Sequence, residues 1–188
     1  MNQTKLDAKK TALVIIDMLV DFVEEEGSLV VPGAKKLVPR QREILNRARS
    51  NGITVLYLVD NHLPNDDEFK VWPKHSVAGT RGAEVIDELK PEVGEKVIPK
   101  RRYSGFFGTD LDLTLREIGI ENVILMGVLT DICVMYTSAD AAARGYSVYV
   151  VSDATGSTVE ENHNFALNHM KSIHHTTLVT AEKLVDMF

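Results

Sequence analysis

The chain has only one cysteine, Cys133. That excludes an internal disulfide framework and suits a reducing compartment. No apolar run approaches the ~20 residues that a membrane-spanning helix needs, so no membrane partner is expected. The opening stretch, Met1 to Lys10, is polar and lacks the apolar centre of a secretory leader, so a cytoplasmic location is expected. Positive charge is also scarce. The 21 Lys and Arg stand against 27 Asp and Glu, a formal net charge of −6, and no basic cluster extends beyond Lys100-Arg101-Arg102. A nucleic-acid surface is therefore not expected. Repeats, low-complexity tracts and linker-like segments are absent. With 188 residues and 44% hydrophobic content the chain can bury a sizeable core, and it reads as a single domain over residues 1–188.

What is present is an alternation of strand-like and helix-like segments. Thr11 to Ile16, Ile53 to Val59, Val97 to Pro99, Asn122 to Met126, Ser147 to Val151 and Thr176 to Val179 read as strands, several of them apolar throughout, as strands buried on both faces are. Helical spacing marks Pro32 to Ser50, Thr109 to Glu117, the stretch from Ile132 to the stop at Gly145, Val159 to Ile173 and Ala181 to Met187. The alternation predicts an α/β fold with three α/β/α layers, a mostly parallel sheet carrying helices on both faces.

Ligands of such sheets bind outside the carboxyl ends of the strands. Asp17, Asp60, Asp153 and the corner at Gly127 should therefore share one rim. A phosphoryl-acceptor reading of Asp17 fails, because no phosphate-cradling glycine loop follows it. Cys133 lies just past the corner in the first turn of the expected helix, where free N–H groups would favour a thiolate and hold an oxyanion. The bland alternative is a small buried hydrophobe. Lys100 follows a short strand and could favour the thiolate and orient Asp17, or stand as a solvated lysine in its basic trio. A second constellation occupies the long loop from Asn61 to Gly82. Asp60, His62, Glu68 and His75 together suit a borderline divalent ion, with Asp66 and Asp67 as competing oxygen donors. His163, His169, His174 and His175 read as surface or packing residues.

These segments resemble the isochorismatase-like cysteine hydrolases and, within them, the bacterial nicotinamidases (pyrazinamidases). The similarity runs through Val14 to Asp17 with Asp21-Phe22-Val23, the Asp60/His62/Glu68/His75 loop, Lys100 to Ser104, Phe107 to Leu111, Gly127 to Val134, Asn162-His163 and Phe165 to Leu167. The resemblance implies a nucleophile at Cys133, an acid/base at Asp17 and an assisting cation at Lys100. It implies a cis peptide between Val128 and Leu129, with the N–H groups of Leu129 and Cys133 facing the oxyanion. It also implies one divalent metal on Asp60, His62, Glu68 and His75, zinc first with iron or manganese as alternatives. A third histidine that many members carry is replaced here by Pro64-Asn65-Asp66-Asp67, and Glu68 takes the fourth ligand place.

The implied activity is hydrolysis of nicotinamide to nicotinate and ammonia in the service of NAD salvage. The ring would rest against Phe22, Trp72 and Tyr103, and a homo-oligomer is expected. The rivals are a metal-free amidase for carbamoyl or ureido substrates, an inactive binding protein of the same fold, and a thiol redox protein. The last lacks a resolving cysteine.

Overall fold

The computed structural model describes residues 5–188. Six strands are present: β1 (Thr11–Ile16), β2 (Thr54–Asp60), β3 (Lys96–Lys100), β4 (Asn122–Val128), β5 (Ser147–Gly156) and β6 (Thr177–Val179). They form one all-parallel sheet in the order β3-β2-β1-β4-β5-β6. The helices are α1 (Val20–Val23), α2 (Ala34–Ser50), α3 (Leu111–Glu117), α4 (Met135–Ala143), α5 (Glu160–Ile173) and α6 (Ala181–Met187). The expected α/β fold in three layers is what the chain adopts.

Period-two alternation along the strands divides the apolar interior into two cores. Leu13 and Ile15 of β1 point to the layer built by α2 and α6, with Val38, Ile44 and Leu45 on one side and Leu184 on the other. Ala12, Val14 and Ile16 point the opposite way, to Leu111 and Leu115 of α3, Val134 before α4, and Ala166 and Met170 of α5. Both faces of β1 are buried, which is why its sequence carries no polar residue beyond Thr11.

The strand order reverses between β1 and β4, and this fixes where the site lies. Their crossovers leave in opposite directions, opening a crevice at the carboxyl ends of just these two strands. Gly127 is required there, with φ at +125°, and a Cβ built on it would stand 2.0 Å from the Ile16 carbonyl oxygen.

Three segments differ from the sequence reading. β5 continues to Gly156 beyond the expected end at Val151. Asp153 therefore lies within a strand and not at the rim of the site, where it accepts from the Ala181 N–H at 2.8 Å and pairs with Arg40 at 3.4 Å. Cys133 is not in the first turn of an ordinary α-helix: residues Thr130–Val134 form one wide π-type turn that runs into α4. α1 was not anticipated because four residues are too few to display a helical period.

Candidate active site

Asp17 and the β4 corner flank the reversal point, and Lys100 reaches it from the end of β3. Asp17 follows β1 directly in the left-handed region, φ 52°, its N–H on the Leu58 carbonyl at 3.0 Å. Its Oδ1 accepts from the Asp60 N–H at 2.8 Å, so the ends of β1 and β2 are tied through this side chain. Asp60 and Lys100 are directly paired in the register of β2 and β3. The Lys100 ammonium stands 2.8 Å from Asp17 Oδ2, 2.5 Å from Asp60 Oδ1 and 3.4 Å from Cys133 Sγ. All four residues are buried. The lysine is thus not the solvated member of a basic trio, whereas Arg101 and Arg102 beside it are exposed.

Burial pushes the Asp17 carboxyl up to about 6, with the Asp60 charge adding to the effect and Lys100 opposing it. At Asp60 burial acts the same way, but the Lys100 ammonium and the imidazoles of His62 and His75 outweigh it and hold the carboxyl well below the usual range. Burial, reinforced by the two carboxylates, pushes the Cys133 thiol well above its ordinary value against the pull of Lys100. Lys100 itself stays charged, because Asp17 and Asp60 more than offset its own desolvation. The resting group at Cys133 is therefore a thiol beside an ionised carboxylate. The N–H groups and the Lys100 ammonium that favour a thiolate are outweighed in the resting site, because the side chain is fully enclosed with two negative neighbours.

The loop after β2 brings the second constellation to the far side of Asp60. The ring of His62 lies 4.9 Å from that of His75, with Phe69 5.3 Å from His62 and Phe22 5.3 Å from His75. His75 Nδ1 is 2.6 Å from the Pro73 carbonyl, which can only accept, so a proton sits on Nδ1 and, in the neutral ring, Nε2 is the nitrogen free to ligate. Both Nε2 atoms face Asp60 Oδ2 at 3.6 Å, and Glu68 Oε1 is 4.0 Å from His62 Nε2. Two imidazole nitrogens and a carboxylate oxygen turned on one point form a donor set that could hold a cation. Ligands at tetrahedral zinc distances stand about 3.4 Å apart, close to these separations. Both nitrogens of His62 also lack a hydrogen-bond partner within the protein although the ring is fully buried. The donor set fits a divalent metal.

Asp66 lies behind the set, 3.4 Å from Nδ1 of His62, and is held there by Arg101 at 2.7 Å and Arg102 at 3.0 Å. Asp67 points outward to Lys70. Asp17, Asp60 and Cys133 also bring ligating atoms within 4.8 Å of one another, but the Lys100 ammonium already supplies the cation there.

Between the two constellations is a partly open cavity. Cys133 and Asp17 lie on its wall together with Asp60, Glu68 and His75, and the rest is largely apolar: Phe22, Trp72, Tyr103, Val128, Leu129 and Ile132. The Trp72 Nε1–H donates to the Tyr103 hydroxyl at 3.1 Å and joins two loops at the wall. The peptide between Val128 and Leu129 is cis. The structure thus brings together every sequence-expected site residue, with Lys100 and His62 behind the wall. Leu29, Val31 and Thr158, also on the wall, escaped the sequence reading. The apolar run Leu29-Val30-Val31 between Gly27 and Gly33 was the available signal for the first two; Thr158 had none. His163, read as a packing residue, meets the buried Thr130 hydroxyl at 2.8 Å and props the turn that carries Cys133.

Comparison with known proteins places nearly the whole chain among relatives of one fold. The isochorismatase domain model matches residues 11–182. An N-carbamoylsarcosine amidase from Thermoplasma acidophilum is 39% identical, with a TM-score of 0.85 over 92% of this chain and 97% of that one. A pyrazinamidase/nicotinamidase from Streptococcus mutans UA159 is 37% identical, TM-score 0.85, covering 90% and 99%. A pyrazinamidase from Pyrococcus horikoshii, solved in complex with zinc, is 33% identical, TM-score 0.86, covering 91% and 99%.

Proposed function

The chain belongs to the isochorismatase family and is a hydrolase acting on amides, and we propose that its substrate is nicotinamide, cleaved to nicotinate and ammonia through a thioester on Cys133. The observation that carries this reading is the cavity itself. Its wall is aromatic and aliphatic, with a thiol at one side and a histidine–carboxylate set at the other, and no Lys or Arg lines it. A flat, uncharged aromatic amide suits that wall. In a metal-free site a carbamoyl amino acid would bring a carboxylate against Asp17, Asp60 and Glu68 with no Lys or Arg on the wall to meet it.

A divalent ion, zinc foremost, would be held by Asp60, His62, His75 and Glu68, and when bound it supplies a Lewis acid able to anchor a pyridine nitrogen. Phe22, Trp72 and Tyr103 hold the ring so that the carboxamide carbon faces Sγ. Asp17 takes the thiol proton as Sγ attacks, and the N–H groups of Leu129 and Cys133 face the developing oxyanion. The proton on Asp17 then goes to the departing amine, the C–N bond breaks and ammonia leaves. Asp17, ionised again, draws a proton from water, which attacks the thioester. The C–S bond breaks, nicotinate leaves and the thiol is restored. Lys100 keeps Asp17 oriented and balances the buried charge in both half-reactions.

The second reading is a carbamoyl or ureido amidase using the same Cys133, Asp17 and Lys100. It draws support from the similarity to the N-carbamoylsarcosine amidase. Ammonia release decides between them. Nicotinamide should be turned over, with loss of activity on chelation and recovery on adding zinc, while N-carbamoyl amino acids should not. Faster turnover of the carbamoyl compounds, indifferent to chelator, would sink the nicotinamide reading and leave the thiol chemistry standing.

A further inference from the structure

We infer that Asp21 is a positioning residue of this site: without touching metal or substrate, its carboxylate sets where His75 and the Leu29–Val31 wall stand. The inference rests on the metal and substrate reading above and deepens it. Asp21 lies in α1 and is 8% exposed, yet among the described residues it forms no ion pair. Its oxygens are taken by two loops. The Ser28 N–H donates to Oδ1 at 2.9 Å, and the Ser76 N–H donates to Oδ2 at 2.7 Å. The Asp21 carbonyl accepts the Leu29 N–H at 3.1 Å, and the next carbonyl, that of Phe22, accepts the Val31 N–H at 2.8 Å. One short helix therefore grips the whole stretch that forms the apolar wall.

The Ser76 contact is the more telling. Ser76 follows His75, sits in the left-handed region at φ 43°, and its carbonyl accepts the His62 N–H at 2.9 Å. A non-glycine residue holds that conformation only when its surroundings fix it. Here the fixing groups are the Asp21 carboxylate on its N–H and His62 on its carbonyl. Asp21 thus acts on the residue that joins the two histidines of the ligand set. The space around the carboxylate is closed as well. A Cβ at Gly82 would stand 2.2 Å from Asp21 Oδ2, and one at Gly27 would stand 2.4 Å from the Asp21 carbonyl oxygen. Gly27, on the same loop as Ser28, and Gly82, beyond Ser76, let the carboxylate and its helix come in this close.

The test compares wild type, Asp21→Asn, Gly82→Ala and, as a control, the exposed Asp67→Asn. An asparagine has one oxygen for two N–H donors, so one loop must be released. Gly82→Ala leaves the charge but displaces the carboxylate, which keeps the inference testable should the first variant fold poorly. Zn²⁺ affinity, measured alone by competition with a chromogenic chelator, should fall about 10- to 100-fold in both Asp21→Asn and Gly82→Ala. KM for nicotinamide should rise about tenfold with kcat within roughly threefold, the pattern of lost binding with chemistry intact. Alkylation of Cys133 by iodoacetamide should stay at the wild-type rate in every variant, and Asp67→Asn should match wild type throughout. Wild-type zinc affinity and KM in both altered proteins would overturn the inference. So would a loss of zinc that comes with a changed alkylation rate, since that marks general unfolding. A wild-type protein that binds no Zn²⁺ overturns the metal reading and this inference with it, whereas zinc binding without nicotinamide turnover leaves only the substrate reading overturned.

Discussion

Cys133, Asp17 and Lys100 share one cluster but do not carry the same structural weight, and single substitutions should separate them. Cys133 is a small group, so Cys133→Ala should abolish ammonia release while leaving the thermal unfolding midpoint nearly unchanged. Lys100 is the counter-charge of two buried carboxylates. Lys100→Ala should therefore cost both activity and stability, about 3–5 kcal/mol, because it strands Asp17 and Asp60 side by side in the interior. Equal midpoints for the two variants would show that the carboxylates do not depend on the ammonium. Cys133 could be singled out from its place after an apolar strand. The role of Lys100 could not, since no spacing in the sequence says that β3 pairs with β2 and brings Asp60 level with Lys100.

The loop between β2 and β3 shows the same limit one scale up. Its composition announced a ligand set, but three acidic residues in succession, Asp66, Asp67 and Glu68, were equivalent as sequence. The short 3-10 turn Asp67–Lys70 tells them apart. It sends Asp67 outward, turns Glu68 toward Nε2 of His62, and leaves Asp66 at Nδ1 on the opposite edge of the same ring. A carboxylate on that edge orients the imidazole and raises its basicity. His62→Ala should therefore remove measurable Zn²⁺ binding, Glu68→Ala and Asp66→Ala should each weaken it by about 10-fold or more, and Asp67→Asn should leave it unchanged. Asp66→Ala should in addition free Arg101 and leave Arg102 with Glu68 as its acidic partner. Wild-type affinity in Asp66→Ala would leave His62 without a need for an orienting carboxylate, and stronger binding in Glu68→Ala would remove Glu68 from the set.

At the scale of the whole molecule, the two cores meet only through the sheet, and the site stands where the strand order turns back. The fold class was legible because strands and helices alternate with clear periods. The strand order was not, since six apolar segments can be arranged in many ways without changing any local pattern. A test of this architecture contrasts a substitution in a helix with one in the sheet. Ile44, fully buried in α2, belongs to one core and is not on the wall of the cavity. Ile44→Ala should cost about 3 kcal/mol, roughly 6–12 °C in the unfolding midpoint, with kcat/KM of the remaining folded protein close to wild type. Gly127→Ala adds a single methyl group, but that methyl is aimed at the Ile16 carbonyl oxygen from 2.0 Å and at the Ile16 carbonyl carbon from 2.8 Å. These are backbone atoms between hydrogen-bonded strands and have no rotamer by which to escape. To relieve the contact β1 must separate from β4, which carries Asp17 away from Cys133. Gly127→Ala should therefore lower kcat/KM by at least about 10²-fold, as displacements near 1 Å at a reacting centre do, even at temperatures where the protein is fully folded. If Gly127→Ala kept its activity while Ile44→Ala lost it, the reversal point between β1 and β4 would not be what aligns the acid/base with the thiol.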